Sequence, residues 1–153
     1  MQPFTQKYTA KSADGIIGQD EIVVKLRNFI VNFHKEKKNS ALIYGPSGTG
    51  KTSSIYAIAN GLGYEVIEVN ASEFRNAEQI NQKVGNAIKQ RSLFAAGKII
   101  LVDEIDGLSG HEDRGGVQAI AKLIEDSTYP IILTATNPFD NKFSTLRSKS
   151  AMM

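Results

Sequence analysis

Apolar positions along the chain follow two rhythms in turn. Over residues 20–33, Ile22, Val23, Leu26, Phe29, Ile30 and Phe33 recur at three- and four-residue spacings. This predicts a helix with one apolar face and Asp20 as its N-cap. Four short apolar runs follow at residues 41–44, 65–69, 99–102 and 131–135, each bounded by turn residues. Runs this uniformly apolar suit strands covered on both faces. Between them, helical spacing returns at 52–60, from about 77 to 91 (Ile80, Val84, Ala87, Ile88) and from about 116 to 125 (Val117, Ile120, Leu123, Ile124). Alternating strand and helix predict right-handed crossovers and a parallel sheet flanked by helices, a three-layer α/β fold. The HKEKK run at 34–38 reads as a solvated helix end, where cations favour the negative end of the dipole. A phosphate-binding patch is the sharper alternative for that run.

Composition narrows the classes. The chain has 153 residues, 41% hydrophobic and 22% charged, with a net charge of +2. Such a length makes about one domain and buries roughly two thirds of the unfolded surface. It contains no Cys, which excludes disulfide scaffolds, thiolate zinc sites and cysteine nucleophiles. The slight basic excess permits nucleic-acid contact without arguing for it alone. No apolar run approaches the roughly 18 residues that span a bilayer. Residues 1–12 have no hydrophobic stretch of the secretory kind, so a soluble, cytoplasmic location is expected. Asn70-Ala71-Ser72 matches the glycosylation sequon and reads as a chance match. His34 and His111 have no ligand-like neighbours and read as surface residues.

The chemistry concentrates in two stretches. GPSGTGKT at 45–52 fits G-x-x-x-x-G-K-[ST], follows a predicted strand and opens a predicted helix. Gly45, Gly48 and Gly50 allow a tight turn that brings backbone N–H groups to phosphate oxygens; Pro46, Ser47, Thr49 and the following Ser53 complete the loop. Lys51 reaches the β- and γ-phosphates, and Thr52 offers its hydroxyl to Mg²⁺. The second stretch is IILVDE at 99–104, an apolar strand ending in two carboxylates. It sets Asp103 at the carboxyl edge of the sheet, where open α/β folds bind ligands. Asp103 is expected in the Mg²⁺ shell and Glu104 beside the attacking water. Asp106 reads as a loop or cap residue. The strand at 131–135 leads into Thr136 and Asn137, each a candidate contact to the γ-phosphate or the water, with ordinary turn chemistry at Asn137-Pro138 as the alternative.

Taken together, the phosphate loop, the D-E strand end and the polar strand tip resemble the AAA+ ATPase core. GPSGTGKTSSIYAIAN, VNASEFRN at 69–76, SLF at 92–94, LVDEIDGLSG followed by DRGG within 101–116, and PIILTA at 130–135 narrow the resemblance to clamp loaders, on the side of the archaeal replication factor C large subunits. The resemblance implies an ATP- and Mg²⁺-dependent ATPase, weak alone, that loads a sliding clamp onto primed DNA during replication. It implies hetero-oligomeric small subunits, the ring-shaped sliding clamp and primer–template DNA as partners, a nucleoid-associated place, and no membrane. It sets Tyr8, Ile16 and Ile17 against the adenine, although QKYTA at 6–10 departs from the family's E-K-Y-R-P box. Leu93 and Phe94 would face the clamp, with a plain core role as the alternative. Arg75 and Arg114 would touch the DNA backbone, with plain surface roles as the alternative.

The family's T-A-N-D-P stands here as TATNP, which aligns Thr136 with the sensor and leaves Asn137 one step later. Where small subunits carry a Ser-Arg-Cys motif, this chain has Ser148-Lys149-Ser150. Lys lacks the planar fork of Arg, so this chain would receive a finger from a neighbour without donating one. The rivals are a non-hydrolysing ATP-binding scaffold and another AAA+ DNA machine such as a branch-migration helicase. The domain expectation is an adenine-side lead-in over 1–18, a nucleotide-binding core over 19–150 and a truncated end at 151–153, with the fifth strand and the helical lid missing.

Overall fold

The computed structural model describes residues 20–74, 76–92, 95–108 and 115–153. Its elements alternate as the sequence pattern predicts: α1 (Asp20–Val31), β1 (Ser40–Tyr44), α2 (Lys51–Leu62), β2 (Tyr64–Asn70), α3 (Ala77–Lys89), β3 (Gly97–Asp103), α4 (Gly116–Asp126), β4 (Ile131–Ala135), α5 (Ser144–Lys149) and β5 (Ser150–Met152). The strands form one parallel sheet in the order β2-β3-β4-β1-β5. Among the described residues, no helix is long and apolar enough to cross a membrane.

Side-chain alternation along the strands builds two cores. Leu42, Ile100, Val102, Ile131 and Leu133 pack with Ile80, Ile120, Leu146 and their neighbours from α3, α4 and α5. Ala41, Ile43, Ile99, Leu101 and Ile132 pack on the other side with Leu26, Phe29, Ile55 and Ile58 from α1 and α2. The same parity decides where the strand ends aim. Asp103 lies two residues beyond Leu101 and Thr134 two beyond Ile132, so both side chains leave the sheet on the α2 side. Because β4 pairs with both β1 and β3, its tip stands between the loop after β1 and the acidic end of β3.

Two expectations need correction. The fifth strand is not missing. Ser150–Met152 pairs in parallel with Ser40–Leu42, and the main chains of Tyr44, Met153 and Leu42 extend the ladder. The Ser40 and Ser150 hydroxyls, 2.7 Å apart and buried, pin the pairing at its start. β1 therefore has partners on both sides. Ser150 carries no apolar run, which is why the pattern of hydrophobic positions passes over it. The basic run at 34–38 is also not a helix end: α1 stops at Val31, and these exposed residues occupy a 3-10 turn and the link to β1.

Lys98 is the one charged side chain buried in the core among the described residues, at 2% exposure. Its ammonium donates to the carbonyls of Ala87, Ile88 and Gln90 at the end of α3 and lies 4.2 Å from the centre of the Tyr129 ring. Burial pushes its pKa down, while the carbonyls at the negative helix end favour the charged form. Lys98→Met is expected to cost about 1–3 kcal/mol, the penalty for leaving such carbonyls without donors, measured by urea denaturation.

Candidate functional site

Between β1 and α2 the loop at 45–50 turns back over the helix start. Gly50 takes φ 85°, a left-handed conformation that a side chain would strain, and it precedes the first residue of α2. No side chain caps this helix and its first turn holds no acid, so its N–H groups and positive end face the loop. The Lys51 ammonium donates to the carbonyl oxygens of Gly45 (2.8 Å) and Pro46 (2.9 Å). Thr49 Oγ1 donates to Pro46 O at 2.9 Å. Gly45, Pro46 and Thr49 thus shape the loop, whereas Ser47, Gly48, Gly50, Lys51, Thr52 and Ser53 line a cavity of about 240 Å³.

The opposite wall comes from the ends of β3 and β4: Asp103, Glu104, Thr134, Ala135 and Thr136. Thr52 Oγ1 donates to Asp103 Oδ1 at 3.0 Å, which brings the loop hydroxyl and the strand-end carboxylate to one point. Glu104 has φ 56° and ψ 58°, and among the described residues no other non-glycine has positive φ. A left-handed glutamate is held against its own preference, a cost that clusters at functional positions. Its backbone N–H donates to Thr134 Oγ1 (2.9 Å), and its carboxylate accepts from Asn70 Nδ2 at 3.4 Å.

Three residues that the sequence reading left outside the site belong to its frame. Asn70 ends β2, in register with Asp103, and its Oδ1 also accepts from the N–H of Ser72. The Asn-x-Ser spacing that matches a sequon is here an Asx turn. Asp106 accepts from the backbone N–H of Thr136 (2.5 Å) and of Asn137 (3.3 Å), so it holds the β4 tip across 30 residues of sequence. Thr134 is 1% exposed and bonds to Asp103 as well as Glu104. A Thr inside an apolar strand was the available signal, since a buried hydroxyl must find a partner.

The structure separates the two strand-tip candidates. Thr136 lines the cavity, whereas the Asn137 side chain accepts from the N–H of Phe139 at 3.1 Å and closes a turn. Tyr56, one turn beyond Thr52, donates to Glu68 on β2; burial and that carboxylate push its phenol pKa up. Tyr8, Ile16, Ile17, Arg75, Leu93, Phe94 and Arg114 lie outside the described residues. Among the described residues no group of three or more His, Cys, Asp or Glu could cage a metal.

An uncapped helix start behind a glycine loop, facing a hydroxyl–carboxylate pair at the end of a parallel strand, defines a P-loop nucleotide-binding fold. The chain belongs to the ATPase family associated with various cellular activities (AAA), whose family model matches residues 41–152. It is 52% identical over 152 residues to the replication factor C large subunit of Nanoarchaeum equitans, covering 99% of this chain and 35% of that protein. Identity is 44% over 153 residues to the replication factor C large subunit of Staphylothermus marinus, covering 99% of this chain and 36% of that protein. It is 45% over 148 residues to that of Thermofilum pendens, covering 95% and 36%. The chain spans about a third of the length of these curated relatives.

Proposed function

We propose that this chain is the ATP-binding core of a clamp-loader large subunit, which uses ATP binding and hydrolysis to place a sliding clamp on primed DNA. The observation that carries the ATPase part is the meeting of Thr52 with Asp103, beside a glutamate held in a left-handed conformation. Lys51 exchanges its loop carbonyls for β- and γ-phosphate oxygens. Thr52 and Asp103 would hold Mg²⁺, which when bound would supply neutralisation of the charge developing on the phosphoryl oxygens. Glu104 orients the attacking water and takes up its proton. Thr136 contacts the γ-phosphate and reports its loss through the loop that Asp106 holds.

The partner assignments rest on the relatives' name and on the motifs quoted above: small subunits, a ring-shaped clamp against Leu93 and Phe94, primer–template DNA against Arg75 and Arg114, and adenine against Tyr8, Ile16 and Ile17. The lead-in boundary at 18 and a cytoplasmic place belong to the same proposal, and the core runs on through β5. One local feature favours the large-subunit role. Lys149, where a small subunit carries its finger Arg, forms an ion pair with Glu125 of the same chain and holds that carboxyl below its usual range. An ammonium, even when free of this exposed pair, lacks the planar bidentate fork that suits Arg to a transition-state phosphate.

The test is ATP turnover by this chain alone, then with clamp-loader small subunits, clamp and primed DNA. Turnover is expected to be weak alone and to rise with the full set by up to about 10³–10⁵-fold, the range for supplying an arginine finger in trans. Nucleotide binding without any stimulation would instead identify a scaffold, and ATP-driven movement along DNA without clamp loading would identify a different machine.

A further inference from the structure

We infer that Thr134 is a positioning residue that sets both carboxylates of the site, turning Asp103 toward the cation and holding Glu104 in its left-handed conformation. The inference rests on the ATPase reading above and assigns a task to a side chain that reading does not use.

The bonding around Thr134 admits one arrangement. The Glu104 backbone N–H can only donate, so at 2.9 Å the Thr134 oxygen must accept. The single hydroxyl proton is then free for Asp103 Oδ1, which accepts it. That same oxygen takes the Thr52 hydroxyl at 3.0 Å. Two hydroxyls from opposite walls therefore fix the rotation of one carboxylate. A proton that Thr52 gives to Asp103 leaves its own lone pairs for a cation.

Burial makes the arrangement stiff. Thr134 is 1% exposed, in register with Ile43 of β1, and follows three apolar residues of β4. With little competing water, its hydroxyl has few alternatives to these two partners. Its second partner matters as much as its first. Left-handed backbone is unfavourable for a non-glycine residue, and an accepted N–H bond of ordinary length helps to offset that cost. Losing the hydroxyl would let Glu104 relax and Asp103 rotate together.

Thr134→Val keeps the shape and removes the hydroxyl. A fluorescent ATP analogue is titrated in EDTA and across a Mg²⁺ series, and kcat and KM are measured beside it. Binding in EDTA is expected within about twofold of the parent. The Mg²⁺ concentration for half-maximal tightening is expected to rise about 10-fold, and kcat to fall 10–100-fold with little change in KM, the scale of losing an outer-shell partner. Thr134→Ser should restore both. A Val variant with the parent's Mg²⁺ midpoint and kcat overturns the inference, as does a Ser variant as impaired as Val. If Val does not fold, Thr134→Cys carries the test, because a thiol is a weak donor and acceptor; a parent-like Mg²⁺ midpoint then overturns it. Failure confined to the variants sinks only this inference. A parent chain that binds no nucleotide sinks the ATPase reading with it.

Discussion

Glu104→Gln is expected to lower ATP turnover by about 10²–10⁴-fold while ATP still binds, the range for losing a positioned general base. The substitution changes charge and little else. Gln keeps the length of Glu and an oxygen for the Asn70 amide, whose contact at 3.4 Å places that side chain. The backbone bond to Thr134 does not involve the side chain and stays. The phosphate loop, which supplies binding, lies across the cavity on a different strand. Phosphate release and equilibrium nucleotide binding, measured on the same sample, separate the two effects. Lys51→Ala is expected to lower both together, because its ammonium serves the ground state and the transition state alike. A Glu104→Gln variant that hydrolyses ATP at the parent's rate would remove Glu104 from the chemistry.

Gly107→Ala is expected to destabilise the fold by about 3 kcal/mol and lower the melting midpoint by roughly 10 °C. A Cβ on Gly107 would stand 2.6 Å from Ser72 Cβ, 2.7 Å from its Cα and 3.0 Å from its N. Backbone atoms cannot move aside as a side-chain tip can, so the turns at 71–73 and 105–107 would have to separate. The Gly107 N–H closes the second turn on Glu104 O at 2.9 Å. Asp106, between them, would lose its hold on the β4 tip, so turnover should fall along with stability. Gly61→Ala is the control: nothing lies within 4 Å of its added Cβ, and it sits inside α2. It should gain about 0.5–1 kcal/mol, as Ala does over Gly in a helix. Urea denaturation of the two variants side by side reads both signs.

Elements that carry their own apolar rhythm were legible from sequence, as the match of α1 to α4 and β1 to β4 shows. α5 and β5 were not. In α5 only Leu146 is buried, and β5 is three residues placed by its partner β1. Their position is a property of the sheet edge they meet. The site divides along the same line. GPSGTGKT and the Asp103-Glu104 pair announce themselves because their residues are contiguous and their chemistry is local. Asn70, Asp106 and Thr134 act across 30 or more residues of sequence, on backbone groups and carboxylates that only the sheet brings near. An Asn in a sequon, an Asp in a loop and a Thr in a strand have many ordinary explanations until the register is known.

The double pairing of β1 also bears on the order in which the molecule assembles. β1 leads into the phosphate loop, yet the strands that flank it come from the far end of the chain: its Ser40 hydroxyl bonds to that of Ser150, 110 residues on. Contacts of such long range are slow to form, because the loop they close is costly in entropy. A growing chain exposes β1 first and can seat it only after β4 and β5 have emerged. The loop after β1 is therefore expected to take its final shape late, once β4 and β5 have paired with β1.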